Sequence, residues 1–371
     1  MEKIKNLVVG AGLSGAVLAE RLASQLGEDV LIIDSRDHIA GNIYDSKHSS
    51  GITVHRYGPH IFHTNDKKIW DYFSQFTAWH YFFLKPRAWV DNNYISLPFN
   101  LNSLHQVFPE YLAGRLENKL VDKYGYNVKV PIMKLREEQD GDLKFLAGYV
   151  YDKIFEKYTT KQWGLSPQEI DPAVMARVPV SVSRDDGYFQ DKYQAIPAQG
   201  YTRMVENMLR NPLITVRLNT PFSKIKDSVQ YDRLFYTGPI DEFFEYKYGE
   251  LPYRSLRFDI EQKNVEYYQP AVVVNYPNNF DFTRICEHKY FLNEKAPTTV
   301  ISVEFPQAFK RGENDPYYPI QNPQNAALYE KYLAEAKKLP GVYFLGRLGA
   351  YKYYNMDQSA TAALALFDSI K

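Results

Sequence analysis

Six residues near the N-terminus, Gly10-Ala11-Gly12-Leu13-Ser14-Gly15, have the types and spacing to hold a pyrophosphate. Placed between a strand and a helix, Gly10 permits the tight turn and Gly12 lets backbone approach the phosphates. Gly15 lets the helix pack close to the strand. The free amides and positive dipole end of that helix would face the negative charge. Asp34 stands 19 positions after Gly15, where an acid holds ribose hydroxyls. Two other groups invite chemistry less strongly. His60 and His63 are three apart, but a metal needs at least one more ligand and none is evident, so no metal is expected. The single cysteine, Cys286, has no evident histidine partner and reads as a small buried hydrophobe rather than a nucleophile.

These residues need elements to position them. Residues 4–9 read as a buried strand, 16–23 as a helix with one apolar stripe, and 29–33 as a second strand ending at Asp34. The bland alternative is a glycine-rich turn of an α/β sheet that binds nothing. From about 65 to 180 the pattern turns mostly helical, with amphipathic runs at 67–73 and 142–155. Residues 201–209 are helical again, and 231–236 form a strand. Strand patterns follow at 254–258, 271–276, 299–305 and 342–345, and a last helix runs from 357 to 370. The expected class is α/β, with a discontinuous Rossmann-type FAD-binding domain, an inserted helical domain and an antiparallel β-sheet domain. The expected boundaries are 1–65, 200–240 and 340–371 for the first, and 66–180 for the second, with a mobile loop near 163–180. The third takes 181–199 and 241–339. A nucleotide domain interrupted by large insertions suits FAD better than NAD, because FAD is long and buried. The terminal helix can also turn its N-terminus toward the flavin.

The 371 residues exceed one ordinary domain. Lys+Arg 44 balances Asp+Glu 44, so nothing points to nucleic acid or an acidic membrane surface. No apolar run approaches the roughly 20 residues a membrane span needs, no signal peptide is read, and a cytoplasmic protein without internal disulfides is expected. The chain is rich in aromatics, with Tyr 31 and Phe 22, which can wall a ring-shaped ligand.

Four segments then point one way. They are His55-Arg56-Tyr57-Gly58-Pro59-His60-Ile61-Phe62-His63-Thr64-Asn65, Tyr158-Thr159-Thr160-Lys161-Gln162-Trp163-Gly164, Tyr317-Tyr318-Pro319-Ile320, and Gly346-Arg347-Leu348-Gly349 with Tyr351-Lys352-Tyr353-Tyr354. Together, and in this order, they resemble the bacterial UDP-galactopyranose mutases. The resemblance implies a flavoenzyme that interconverts pyranose and furanose forms of a nucleotide sugar, UDP-galactopyranose to UDP-galactofuranose. FAD is reduced for activity with no net redox, NAD(P)H serves as a possible external reductant, and the protein is a homodimer. It also implies that flavin N5 displaces the diphosphate from the anomeric carbon to form a sugar adduct. Its product would feed a cell-surface polysaccharide.

By the same resemblance, Arg177 and Arg284 neutralise the diphosphate, which suits the planar guanidinium. Tyr158 stacks on uracil with Phe155 one turn earlier, and Trp163 closes on the substrate from the start of the mobile loop. Tyr188, Tyr318 and Tyr353 reach the diphosphate. His63 lies against the flavin ring near N5. The cofactor side is completed by Asp34, Arg36, Asn42, His60, Arg347 and the start of the last helix at Met356, Asp357 and Gln358. Three positions depart from the family pattern. Ala40 replaces a glycine in His38-Ile39-Ala40-Gly41-Asn42, Asn355 replaces an aspartate, and Leu84 replaces an asparagine near the sugar. Leucine cannot pair a hydroxyl, and an unpaired buried hydroxyl costs about 1–3 kcal/mol. Leu84 and Asn355 therefore open an alternative substrate, a 6-deoxy sugar such as dTDP-fucopyranose. A more distant alternative is a flavin oxidoreductase of the amine-oxidase kind, which has no diphosphate to neutralise. The third is a nucleotide-binding module without catalysis.

Overall fold

Buried runs at Glu2–Val9 and Val30–Ile33 pair in parallel and seed a five-stranded parallel sheet. Its spatial order is Ile214–Arg217, Val30–Ile33, Glu2–Val9, Val229–Tyr236, Val342–Phe344. The strands thus come from three distant stretches of chain. The computed structural model describes residues 2–164 and 179–371. On this sheet packs the helix Leu13–Leu26, almost wholly buried along its first three turns. The C-terminal helix Met356–Ile370 lies against it. A buried helix–strand interface of this kind is what parallel sheets require, since both faces are covered.

A larger sheet of seven strands runs Tyr318–Pro319, Tyr253–Lys263, Thr299–Ala308, Arg284–Glu287, Val273–Asn275, Arg87–Val90, Asn93–Ser96. Its pairings are antiparallel except for the junction of Val273–Asn275 with Arg87–Val90, which is parallel. Two strands of the stretch expected to be mostly helical, Arg87–Val90 and Asn93–Ser96, therefore belong to this sheet. Asp91 and Asn92 take left-handed backbone (φ 49 and 63) and turn the hairpin between its last two strands. Left-handed pairs of this type make the tight hairpin turns.

Beyond that hairpin the chain is helical. Asn100 and Ser103 cap Leu101–Val107 reciprocally, and the Asp140 side chain accepts from Asp142 and Leu143 amides at the start of Gly141–Val150. Each side-chain cap contributes about 1 kcal/mol. This segment has its own apolar core, with Leu104, Leu116, Leu120, Leu135 and Leu146 fully buried. The helix continues through a wide π turn, Tyr151–Phe155, into Glu156–Trp163, which ends at Gly164 in left-handed backbone. Such π turns cluster at functional sites.

Between the two sheets sits a ladder of histidines. The His60 amide donates to His55 Nδ1 and the His55 amide to His288 Nδ1, each at 3.2 Å. Because both Nδ1 atoms accept, both rings are neutral with the proton on Nε2; that of His288 donates to Ser302 Oγ at 3.0 Å. Burial drives His55 down to about 3 and His288 well below the usual histidine value, which the neighbouring His55 and Arg56 reinforce. The unfolded chain takes up protons on both below about pH 6.5, and the folded chain refuses them, so stability falls as pH drops from 6.5 toward 5. Burial holds the carboxyls of Asp45 and Asp241 above their ordinary range, which works in the opposite sense. Urea unfolding at pH 6.5 and pH 5 is expected to show a net loss of roughly 2–4 kcal/mol. An unchanged midpoint would mean that these rings are already charged in the fold.

Candidate active site

The glycine turn is built by close contact. Gly10 has φ +102, and a Cβ there would stand 1.9 Å from Thr237 Oγ1; one on Gly15 would stand 2.0 Å from the Gly10 carbonyl oxygen. Asp34 braces the turn, its Oδ2 accepting from the Ala11 amide at 2.8 Å and its Oδ1 from the Arg36 amide at 2.9 Å. The second glycine-rich bend meets the first there. A Cβ on Gly41 would come within 2.9 Å of the Gly12 Cα. Ala40, where the family pattern has glycine, adopts φ 71 and is buried. Its left-handed backbone costs roughly 1–2 kcal/mol for a residue with a Cβ.

These residues line one side of a cavity of about 920 Å³. Gly10, Gly12, Gly15, Asp34, Arg36, Asn42, His60, Arg347 and Met356 are all in its wall. Asp357 and Gln358 are not in the lining. Gln358 instead accepts from the Asn355 amide at 2.9 Å, which ties Asn355 into the start of the last helix. The volume, the bare backbone at Gly12 and the helix N-terminus fit a dinucleotide. Arg36 spans the rim, donating to Asn42 Oδ1 at 3.0 Å and pairing with Asp315 at 2.9 Å over the Tyr57 ring.

His60 and His63 part company. His60 Nδ1 lies 2.8 Å from the Gly58 carbonyl, and burial, with help from His55 and Arg347, lowers it to about 3, so it presents a neutral ring. His63 is absent from the lining. It stacks on Phe189 at 3.7 Å and pairs through Nδ1 with Asp191 at 2.8 Å. The His63 expectation of a flavin contact therefore meets a different arrangement. His63 is in the strand Phe62–Thr64, paired with Tyr193–Pro197, whereas His60 is in the turn before it.

Beside His60 in the cavity wall lies a polar and aromatic cluster. Arg284 Nε and Nη2 both reach Glu304, at 2.7 and 2.6 Å, and the Glu304 side chain is 2% exposed. The two residues face each other across adjacent antiparallel strands. Thr283 donates to the same carboxylate at 2.9 Å, and Gly58, two residues before His60, packs against it. Burial alone would lower the Arg284 pKa, but Glu304, Tyr158 and Tyr318 push it above its ordinary value. Burial raises Tyr158 and Tyr318, so both stay protonated donors. Tyr318 stacks on Tyr353 at 5.5 Å and meets Trp163 at 6.2 Å. Arg347 lies over both tyrosine rings, at 5.6 and 4.8 Å, while its Nε donates to the Tyr354 carbonyl. Arg347 thus belongs both to the cavity wall and to the cluster.

Tyr158, Trp163, Arg284, Tyr318 and Tyr353 come together in this way, and Tyr188 is among the electrostatic neighbours of Tyr158. Phe155 does not join them: it is 1% exposed in the helical core. Leu84 is likewise buried, in the core beneath the parallel sheet, and its carbonyl accepts from the Tyr188 amide. Arg177 lies outside the described residues. Cys286 is 1% exposed, and burial raises its thiol pKa, which fits an inert side chain. Sequence reasoning missed Glu304, which carries no local motif and becomes visible only through the strand register. No three His, Cys, Asp or Glu side chains are grouped to hold a metal among the described residues, and no helix there is long and apolar enough to cross a membrane.

The chain is similar to known proteins. Residues 153–353 match the family described as UDP-galactopyranose mutase, and residues 8–76 match an NAD(P)-binding Rossmann-like domain. A probable UDP-galactopyranose mutase from Klebsiella pneumoniae is 38% identical over 366 residues, covering 98% of this chain and 93% of its own. A dTDP-fucopyranose mutase from Escherichia coli is 35% identical over 361 residues, covering 95% of this chain and 94% of its own. A crystal structure of a reduced UDP-galactopyranose mutase superposes with a TM-score of 0.77 at 16% identity, over 100% of this chain and 94% of that one. That last likeness speaks for the fold.

Proposed function

The chain belongs to the UDP-galactopyranose mutase family and is an isomerase, and from that premise we propose that it interconverts the pyranose and furanose forms of a nucleotide sugar, UDP-galactopyranose first among candidates. The observation that carries this reading is the Arg284–Glu304 pair, set among tyrosines beside a dinucleotide cavity. We take FAD as the cofactor. Gly10, Gly12, Gly15 and Asp34 would hold its pyrophosphate and ribose, and His60, Arg347 and Met356 its other end. Reduced and bound there, the flavin would supply a nucleophilic nitrogen.

The protein residues have separate tasks. Glu304 fixes the plane of the Arg284 guanidinium, whose charge would offset the diphosphate as it leaves and returns. Arg177 would supply a second cation. Tyr318 and Tyr353 would donate hydrogen bonds without added charge. Tyr158 and Trp163 offer aromatic faces to the base. His60, neutral at working pH, would avoid placing a second cation beside the flavin. NAD(P)H as reductant and a homodimer are inferred from the family resemblance, and a cytoplasmic location from the single cysteine.

The E. coli relative favours a second substrate, a dTDP-linked 6-deoxy sugar, by the same chemistry, although Leu84, which suggested it in the sequence, is buried in the core. Turnover decides. The purified protein is incubated with UDP-galactofuranose and with dTDP-fucopyranose, each with and without dithionite, and products are separated by chromatography. Conversion of one sugar only under reduction is the expected result, and the sugar converted names the substrate. No conversion of either, with flavin bleaching on addition of an amine, would replace the mutase reading by an oxidase.

A further inference from the structure

Lys161 occupies the helix Glu156–Trp163, between Tyr158 and Trp163. Its ammonium donates to three backbone carbonyls, those of Tyr276 at 2.7 Å, Phe280 at 2.9 Å and Phe282 at 2.7 Å. All three carbonyls belong to the turn between Val273–Asn275 and Arg284–Glu287, so the turn closes around one cation and then delivers Arg284. The turn's aromatic rings, Tyr276, Phe280 and Phe282, pack on one another with centroids 5.0 Å apart. Among the described residues Lys161 has no ion pair with a carboxylate. The charge is spent on fixing backbone, an arrangement that three tetrahedral N–H donors satisfy and a neutral side chain of the same length does not.

The same helix is held from its other side. Arg254, on Tyr253–Lys263, donates to the Gln162 carbonyl at 3.1 Å and reaches that of Lys161 at 3.5 Å, so it caps the helix C-terminus. Arg254 thus fixes the helix to one strand of the seven-stranded sheet, and Lys161 fixes it to the turn between two others.

We propose that Lys161 is a positioning residue, which locks the helix bearing Tyr158 and Trp163 to the turn that leads into Arg284. The aromatic faces for the base and the cation for the diphosphate are then held at one spacing. This role rests on the mutase reading above. It also makes nucleotide binding sensitive to alkali. Burial pulls Lys161 down to about 8, opposed by Asp281 in the same turn; Arg254, which reaches the Lys161 carbonyl, stays cationic. As pH rises from 7 to 9 the ammonium loses its proton, one carbonyl loses its donor, and the lock loosens.

The test is UDP and dTDP affinity of the flavin-loaded protein by titration calorimetry between pH 7 and pH 9, with flavin content and thermal midpoint as controls. Wild-type affinity for the nucleotide that binds is expected to fall across this range. Lys161→Met, which removes all three donors, is expected to bind about tenfold more weakly at pH 7, with no further fall by pH 9. Lys161→Cys alkylated with bromoethylamine restores an ammonium of lower basicity, while buried Cys286 resists the reagent. That protein should regain affinity at pH 7 and lose it at lower pH than the wild type, a shift that a merely structural role would not produce. Binding by Lys161→Met within twofold of wild type, or the same alkaline fall in all three proteins, would overturn the positioning role alone. A wild type that binds neither nucleotide would overturn the mutase reading, and this role with it.

Discussion

Arg284→Met should lower kcat of the ring interconversion by about 10²–10³-fold, the scale set by removing one preorganised donor from developing negative charge. The loss belongs in kcat as well as KM, because the diphosphate gains charge as its bond to the sugar breaks. The variant has a second consequence. Glu304, with a side chain 2% exposed, would be left as a buried charge without its cation, and such a break costs about 3–5 kcal/mol. Low activity of the single variant could then reflect a damaged fold. The double variant Arg284→Met with Glu304→Gln separates the two effects. Glutamine keeps an acceptor for the Thr283 hydroxyl, which bonds Glu304 at 2.9 Å, and removes the stranded charge. Recovery of the denaturation midpoint without recovery of turnover assigns Arg284 to the chemistry. Turnover within tenfold of wild type would exclude that assignment.

The second large effect concerns the cofactor. A Cβ on Gly15 would stand 2.0 Å from the Gly10 carbonyl oxygen and 3.1 Å from Val8 Cγ1, and the nearer atom is backbone that cannot swing aside. Gly15→Ala must therefore lift the first helix off its strand. It should yield protein without the yellow of bound flavin and with a lowered thermal midpoint. Overpacking costs about 1–3 kcal/mol, and loss of a ligand present at 1,000 times its Kd removes roughly 4 kcal/mol more. Gly12→Ala makes the informative contrast. Gly12 has φ −75, and its nearest neighbour to a new Cβ is 3.7 Å away, so alanine fits the backbone. That methyl would stand at the cavity wall instead. Gly12→Ala should fold with the apo midpoint of the wild type yet hold flavin poorly. Full flavin content in both variants would remove the glycine turn from the cofactor site.

How much of this was readable in the chain depends on the range of the cause. The glycine turn and Asp34 were legible because each residue type answers a local steric or hydrogen-bonding need within one strand–helix unit. The last helix, with Arg347 shortly before it, was legible from periodicity and motif. Glu304 was not, because its meaning lies in facing Arg284 from the neighbouring strand, and register across a sheet leaves little trace in either segment. The sheet strands at 87–96 did leave a trace, the Asp91-Asn92 turn, which the helical pattern around it outweighed. Phe155 looked like a partner of Tyr158 by helical spacing. The π turn ending at Phe155 alters the phase there, and the ring is buried in the helical core. Lys161 reads as one more surface cation until the turn it binds, more than a hundred residues away, is in place.

The order of strands in the parallel sheet also sets a timetable for biosynthesis. Its edge strand Val342–Phe344 and the helix Met356–Ile370 that packs on the first helix are made long after the glycine turn. At about 5–20 residues per second, the glycine turn waits tens of seconds on the ribosome before the wall containing Arg347 and Met356 can form. The helical segment, with a core drawn largely from its own stretch of chain, can condense during that wait. Cofactor capture consequently waits until Val342–Phe344 and Met356–Ile370 have been made. A cell starved of flavin would accumulate a chain already folded in its helical segment and open around its glycine turn, which limited proteolysis of freshly made apoprotein would reveal.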